Sequence, residues 1–288
     1  MKNTTFSKYF TSVIGFSFLL VACTNLETNE VDSVVIGGAG GPTVGNPTEF
    51  LASTYTELST FTDQAGIYAL YEHTSDEMIP PTRGTDWGDN GVWRQLHAHT
   101  WDPTHAYVVN SWNLLNQRAF KCNQVLAFNP SAQEAAEAKF LRAFFMWHVM
   151  DLYGKVPFRE VDEGVEVNPR VLTRTEAFEF IVKDLEEALP DLAVIGPAAA
   201  NPKASKAAAY ALLARLYLNK AVYTAAAPAG PYTFDDADMD KVIEYADAVT
   251  ASGYSLEEEY FLNFTTAASK ELIFTSPTGS SENRYRMT

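Results

Sequence analysis

Between Phe140 and Tyr153 the chain is apolar on nearly every side of a helix, with Phe140, Leu141, Phe144, Phe145, Met146, Trp147, Val149, Met150 and Leu152 in close succession. A helix without a polar face has to be enclosed by other elements, so the rest of the fold must wrap this segment. Its limits are marked. Ser131 and Glu134 form a capping-box pattern at its start, and Gly154 supplies the residue that ends helices most readily. The expectation is a central helix from about Ala132 to Tyr153, with Val156-Pro157 leaving it extended.

Further helices flank it. Phe50 to Tyr71 carries apolar residues at helical spacing and predicts a helix or two. Pro103 suits the first turn of a helix running to about Ala127, broken by Asn129-Pro130. A third helix is expected from Thr173 or Thr175 to Leu189, stopped by Pro190. A fourth opens at Pro202–Ser205 and runs to about Val222. A fifth spans about Met239 to Thr250, and Glu271–Phe274 reads as a short strand. Helices of this length joined by short breaks predict a mostly α fold of antiparallel pairs, as in tetratricopeptide-type repeats, although no strict repeat period is visible. Arg142 and Arg215 interrupt apolar helices and read as charges that need partners, since an unpaired buried charge is costly.

The N-terminus places this fold outside the cytoplasm. Lys2 and Lys8 precede an apolar stretch from about Phe10 to Ala22, the layout of a secretory leader. Leu20-Val21-Ala22-Cys23 ends it as a bacterial lipobox does, which makes Cys23 the expected lipidation site. The stretch is too short for a spanning helix, which takes about 20 apolar residues. Residues 1–22 are therefore expected to be a leader, and 23–47, with Gly37 to Pro42 inside, a flexible tether. Residues 48–288 would form the helical domain. With Cys23 lipidated, Cys122 has no disulfide partner and reads as a small buried hydrophobe. A net charge of −15 excludes nucleic acid as a natural partner and provides no polybasic patch for anionic lipid.

From Ser75 to Pro103 the sequence is irregular, and long ordered loops are uncommon unless functional. Three of the five tryptophans lie there: Trp87, Trp93 and Trp101. Sugar rings present apolar C–H faces and a rim of hydroxyls, so a site for them needs flat aromatics and planar or charged polar groups. Arg83, Asp86, Trp87, Asp89, Asn90 and Trp93 supply that combination, with Gly84, Gly88 and Gly91 permitting close backbone approach. The competing reading is that Trp87 and Trp93 pin the loop onto the helices. Trp112 and Trp147, at helical spacing, read as core. His97, His99 and His105 lack the spacing of a metal site, and Asp86 and Asp89 lack a calcium-loop pattern. No nucleophile elbow, HExxH or phosphate loop occurs, so neither catalysis nor a cofactor is expected.

The stretches Ala138–Phe145 and Asp151–Phe158 resemble the SusD/RagB family. So, in order, do Ser75-Asp76-Glu77, Ser205–Ala208 leading into Leu212–Leu218, and Glu271–Phe274. The resemblance implies tetratricopeptide-like helix pairs supporting a loop-rich ligand face. It also implies a glycan-binding outer-membrane lipoprotein, held by its lipid anchor, that works with a SusC-like TonB-dependent transporter. Family members are considerably longer, so the end at Arg286-Met287-Thr288 makes an N-terminal portion of the fold the expectation. A helical-repeat lipoprotein binding a peptide or protein is the alternative, in which the loop tryptophans would be buried pins.

Overall fold

The structure is a computed structural model that describes residues 45–75, 77–79, 84–85, 87–164, 166–265 and 269–276. The leader, Cys23 and the tether up to residue 44 lie outside the described residues, as do Asp76, Arg83 and Asp86.

The all-round apolar segment is helix α5. It follows α1 (Pro47–Thr56), α2 (Ile67–Glu72), α3 (Val92–His97) and α4 (Ala106–Ala127), and itself spans Ala132–Tyr153. The Ser131 hydroxyl accepts from Glu134 N while the Glu134 carboxylate accepts from Ser131 N, completing the capping box. Gly154 closes the helix in the left-handed conformation at φ 68°. A short antiparallel hairpin follows, β1 (Val156–Phe158) with β2 (Arg170–Leu172), in the register Val156 opposite Leu172. Then come α6 (Arg174–Ala188), α7 (Lys206–Leu218), α8 (Lys220–Tyr223) and α9 (Asp236–Ala251). A second capping box, Thr173 with Glu176, starts α6. No helix among the described residues is long and apolar enough to cross a membrane.

The helices pair antiparallel, as the tetratricopeptide-like reading required. Tyr153 at the end of α5 donates to Val108 O at the start of α4. Lys139 early in α5 meets Glu187 late in α6. Lys220, just beyond α7, meets Asp238 at the start of α9. α5 lies at the centre: Ala138, Phe140, Leu141, Ala143, Phe145, Val149 and Met150 are buried almost completely, and so is Cys122 on α4. Trp147 is buried and Trp112 packs against the core.

Arg142 projects from α5 into this core and is satisfied there. Its Nε and Nη2 donate to the two Asp184 oxygens at 2.7 Å each, and its Nη1 donates to Asn123 Oδ1 at 2.7 Å. Burial pushes the Asp184 carboxyl above its ordinary range, with Arg142 pulling the other way. Arg215 differs from its expected role. It is exposed and lies over the Trp147 ring at 5.0 Å, because α7 turns that side of the helix to solvent.

Other departures from the sequence reading have local causes. α4 begins at Ala106, not at Pro103, because Asp102 Oδ1 accepts from Thr104 N and Oγ1 in a side-chain-closed turn. The fourth helix breaks at Asn219, whose Nδ2 donates to Arg215 O. Residues 271–274 are not a strand. They are clipped to the chain before α7 by Asn201, whose Nδ2 donates to Leu272 O and whose carbonyl accepts from Thr275 N. Phe274 then packs on Phe140 and Phe144.

A polar cluster ties three elements together beneath the irregular segment. Asp151 accepts from Tyr71 of α2 at 3.0 Å and from Tyr223 of α8 at 2.9 Å. Trp147 Nε1 donates to the Tyr223 oxygen. Tyr71 spends its one proton on Asp151, so His148 Nδ1, 2.9 Å away, carries the hydrogen that reaches the Tyr71 oxygen. His148 Nε2 is buried without a partner. Burial holds this imidazole neutral, its pKa lowered to about 3, and Arg215 adds to the effect.

Two expectations follow from the buried groups. Asp184→Asn should cost about 3–5 kcal/mol in urea unfolding because it leaves the guanidinium uncompensated, and Arg142→Met with Asp184→Leu should recover most of that loss. His148 has a folded pKa below its unfolded one. Its contribution to stability is therefore complete above about pH 6.5 and is lost as pH falls towards about 3. Between about pH 7 and about pH 5 the unfolding free energy should drop by about 2 kcal/mol through this group, a drop absent from His148→Phe.

Candidate functional site

The irregular segment holds more structure than its composition implied. Asp89–Gly91 forms a 3-10 turn and Val92–His97 a short helix. Gly84, Trp87, Asp89, Asn90 and Gly91 all have positive φ. Left-handed backbone is costly for a residue as bulky as Trp87 (φ 54°) and persists only where packing enforces it.

The enforcing residue is Trp93. It is 2% exposed, and its indole Nε1 donates to Asp89 Oδ2 at 2.7 Å. Its ring lies 5.0 Å from His73, 5.1 Å from Trp87 and 5.0 Å from Tyr107. Trp93 and Asp89 were both candidate ligand residues on sequence. The Trp93 ring is enclosed by three neighbouring rings, and the exposed Asp89 carboxylate accepts from its indole. Trp93 thus pins the loop, with Asp89 holding the indole from the surface. α3 carries Trp93 inward because Val92, Trp93 and Leu96 are its apolar side, a helix too short for its period to stand out.

Of the remaining candidates, two are described. Asn90 is exposed and Trp87 half-buried, its ring against Trp93. Arg83 and Asp86 lie outside the described residues. The aromatic that faces solvent is Trp101, 40% exposed and set 5.3 Å from the His99 ring. His99 is fixed in turn through Nε2 to Thr74 O at 2.7 Å. The sequence carried a signal for Trp101, since Asp102-Pro103 directly after it excludes it from a helical stripe. Arg94, also exposed, has no partner among the described residues.

His105 bonds through Nε2 to Val92 O, joining the start of α4 to α3. With His99 likewise spent on a carbonyl, these histidines act as braces. Among the described residues no group of three ligating side chains could hold a metal.

Two concavities accompany this face. One, of about 360 Å³, runs between α4 and the hairpin, with Asn116, Asn123, Phe120 and Phe158 in its lining. Two of its amides are spent internally, Asn116 on Trp112 O and Asn123 on Arg142 and Arg159 O, while Asn113 and Gln117 line it exposed. The other, of about 630 Å³, opens at the C-terminal end of α5. Tyr153, in its lining, reaches back to Val108 near the start of α4.

A family model described as starch-binding and associating with the outer membrane matches residues 46–218. The starch-binding protein SusD of Bacteroides thetaiotaomicron is 30% identical over 181 residues, covering 60% of this chain and 30% of that protein. SusD-like protein P2 of Formosa agariphila is 26% identical over 251 residues, covering 80% of this chain and 46% of that protein. The chain thus spans about a third to a half of the length of these relatives. Among solved structures, a SusD homolog from Bacteroides thetaiotaomicron superposes with a TM-score of 0.58 at 16% identity, over 81% of this chain and 47% of the other. A laminarin-binding SusD-like protein gives a TM-score of 0.57 at 20% identity, over 74% and 46%. At these identities the likeness speaks for the fold.

If Trp93 is the pin, Trp93→Ala should act on stability. The expected loss is about 3–5 kcal/mol, read as a lowered urea midpoint. Trp101→Ala should leave the midpoint nearly unchanged.

Proposed function

Since this chain belongs to the SusD-like family, described as starch-binding and associating with the outer membrane, we propose that it is a non-catalytic, lipid-anchored protein that captures oligo- or polysaccharide at the cell surface. Cys23 is its proposed lipid attachment site, and the outer membrane its location. The captured glycan passes to a TonB-dependent, SusC-like transporter.

The observation that carries this reading is the division of labour in the tryptophan loop. Trp93 fills the space beneath the loop and is held by Asp89, while Trp101 is presented to solvent. Asn90 and Arg94 stand exposed on the same segment as groups able to bind hydroxyls. Arg83 and Asp86 belong to the proposed ligand face on sequence grounds, and Trp87 to its half-buried edge. Preorganised aromatic contact suits a flexible, hydroxyl-rich ligand because little ordering cost falls on the protein. Among the described residues of the loop no two carboxylates face one bond, as a glycosidase needs, and Asp89 is held by Trp93.

A few stacking and hydroxyl contacts give micromolar to millimolar affinity, about −4 to −8 kcal/mol. Weak capture suffices where a shared membrane surface keeps donor and acceptor at high effective concentration.

The test is affinity electrophoresis of the full mature chain in detergent against a panel of neutral polysaccharides. Retardation by at least one, weakened about tenfold, or about 1.4 kcal/mol, in Trp101→Ala with an unchanged urea midpoint, is the expected result. Retardation by none, from folded protein, would move the reading towards a peptide or protein ligand.

A further inference from the structure

The larger concavity has a charge pattern that the tryptophan loop does not share. Its walls are the last turn of α5, the turn at Gly154 and Lys155, the start of α6, and the segment from Tyr223 to Pro228. Lys155 and Arg174 both line it. Gly154, at φ 68°, has the Arg174 stem lying across it: an added Cβ would meet Arg174 Cδ at 3.6 Å and Nε at 4.0 Å. The Arg174 stem thus lies beside the turn that ends α5, at ordinary van der Waals distance.

Among the described residues neither Lys155 nor Arg174 has a hydrogen-bond or ion-pair partner. Nearby cations are spent: Arg170 on Glu160, Lys220 on Asp238 and Lys241 on Glu244. The cavity's positive character comes from these two side chains and not from the end of α6. Glu176 N is taken by Thr173 Oγ1 there, and the Glu176 carboxylate is held by Thr173 N and Oγ1.

The lining also carries acceptors. Asp151 receives the Tyr71 and Tyr223 hydroxyls. The Thr224 hydroxyl donates to Lys220 O, which leaves its lone pairs for an incoming donor. A guest in this space meets two cations without an ion-pair partner, Lys155 and Arg174, together with oxygen acceptors. A simple anion uses only the cations. A neutral sugar uses only the acceptors. A sugar bearing an anionic group uses both.

We propose that this cavity binds an acidic sugar unit, with Lys155 and Arg174 pairing its carboxylate or sulfate and Asp151 and Thr224 accepting from its hydroxyls. The guanidinium offers parallel donors that match either oxyanion. The volume of about 630 Å³ falls in the range of small-molecule sites, about 300–1,000 Å³. The inference rests on the glycan-capture reading and narrows its substrate class to anionic polysaccharide.

The experiment compares the full mature chain in detergent with Lys155→Gln/Arg174→Gln. Both are titrated with polygalacturonate, with dextran sulfate and with the panel of neutral polysaccharides, and a urea midpoint checks folding. Wild type should bind polygalacturonate, dextran sulfate or both, and the affinity should fall between about 50 and about 300 mM salt as screening sets in. The double variant should lose about tenfold or more for the same anion with neutral binding unchanged. Binding of polygalacturonate alone identifies a carboxylate and of dextran sulfate alone a sulfate, and either supports the site. Equal affinity of wild type and variant, or no binding of either anion, overturns it. If a neutral polysaccharide is still retained through Trp101, the cavity assignment alone fails; retention of nothing overturns the capture reading as well.

Discussion

The buried fork between Arg142 and Asp184 sets the register of the helices that everything else rests on. Arg142 stands on α5, Asp184 on α6 and Asn123 on α4, and three hydrogen bonds of 2.7 Å join them. An apolar surface such as that of α5 can be packed in several registers at similar cost, because hydrophobic burial is non-directional. A guanidinium cannot. Sliding α6 by one turn would strand a charge in the core, at a cost far above what shifted apolar contacts could return. The pair therefore contributes little net stability over an apolar substitute while making one arrangement of three helices much better than its neighbours.

From that fixed frame the irregular face is held at a few points. Asp151, one turn from the end of α5, gathers Tyr71 and Tyr223 and so ties α2, which leads into the loop, to α8 behind it. His105 and His99 attach α4 and the Trp101 turn by single bonds to carbonyls. Trp93 fills the space beneath. The loop is thus irregular in backbone but braced at intervals, which is what presenting an aromatic ring to a weak ligand requires.

What the sequence made legible was largely what is coded locally. Ser131 with Glu134 and the closing Gly154 fix helix ends through local contacts and fell where the spacing placed them, and of the two starts open for α6, Thr173 or Thr175, Thr173 is the cap through Glu176. The unbroken apolar run of α5 gave the centre of the core. The hairpin was not legible: β2 is three residues long, with Arg170 and Val171 exposed, and exists because β1 offers it an edge. Residues 271–274 have strand composition but take their hydrogen bonds from Asn201, about seventy residues earlier, which no local pattern reports. The site was half legible. Composition marked the segment from Trp87 to Trp101 as unusual, yet the roles within it depend on which side of the six-residue α3 faces the core. Trp93 and Trp101 are the same residue type eight positions apart, one 2% and the other 40% exposed.

Charge gives the same lesson at longer range. With a net charge of −15 the chain repels anions on average, and that average argues against any anionic ligand. Recognition acts over much shorter distances. At physiological salt the Debye length is about 8 Å, so a guest inside a concavity is governed by the charges lining it and only weakly by acids on distant faces. Glu176 is committed to its cap and Asp238 to Lys220, while Asp151, with one tyrosine hydroxyl on each oxygen, keeps lone pairs for a guest. Lys155 and Arg174 line the recess without a hydrogen-bond or ion-pair partner among the described residues. The acidic background then works as a filter. It weakens non-specific attachment of polyanions over the whole surface while leaving the recess able to hold one anionic group with its hydroxyls in register. The global charge that excluded nucleic acid is therefore compatible with a local preference for acidic sugars.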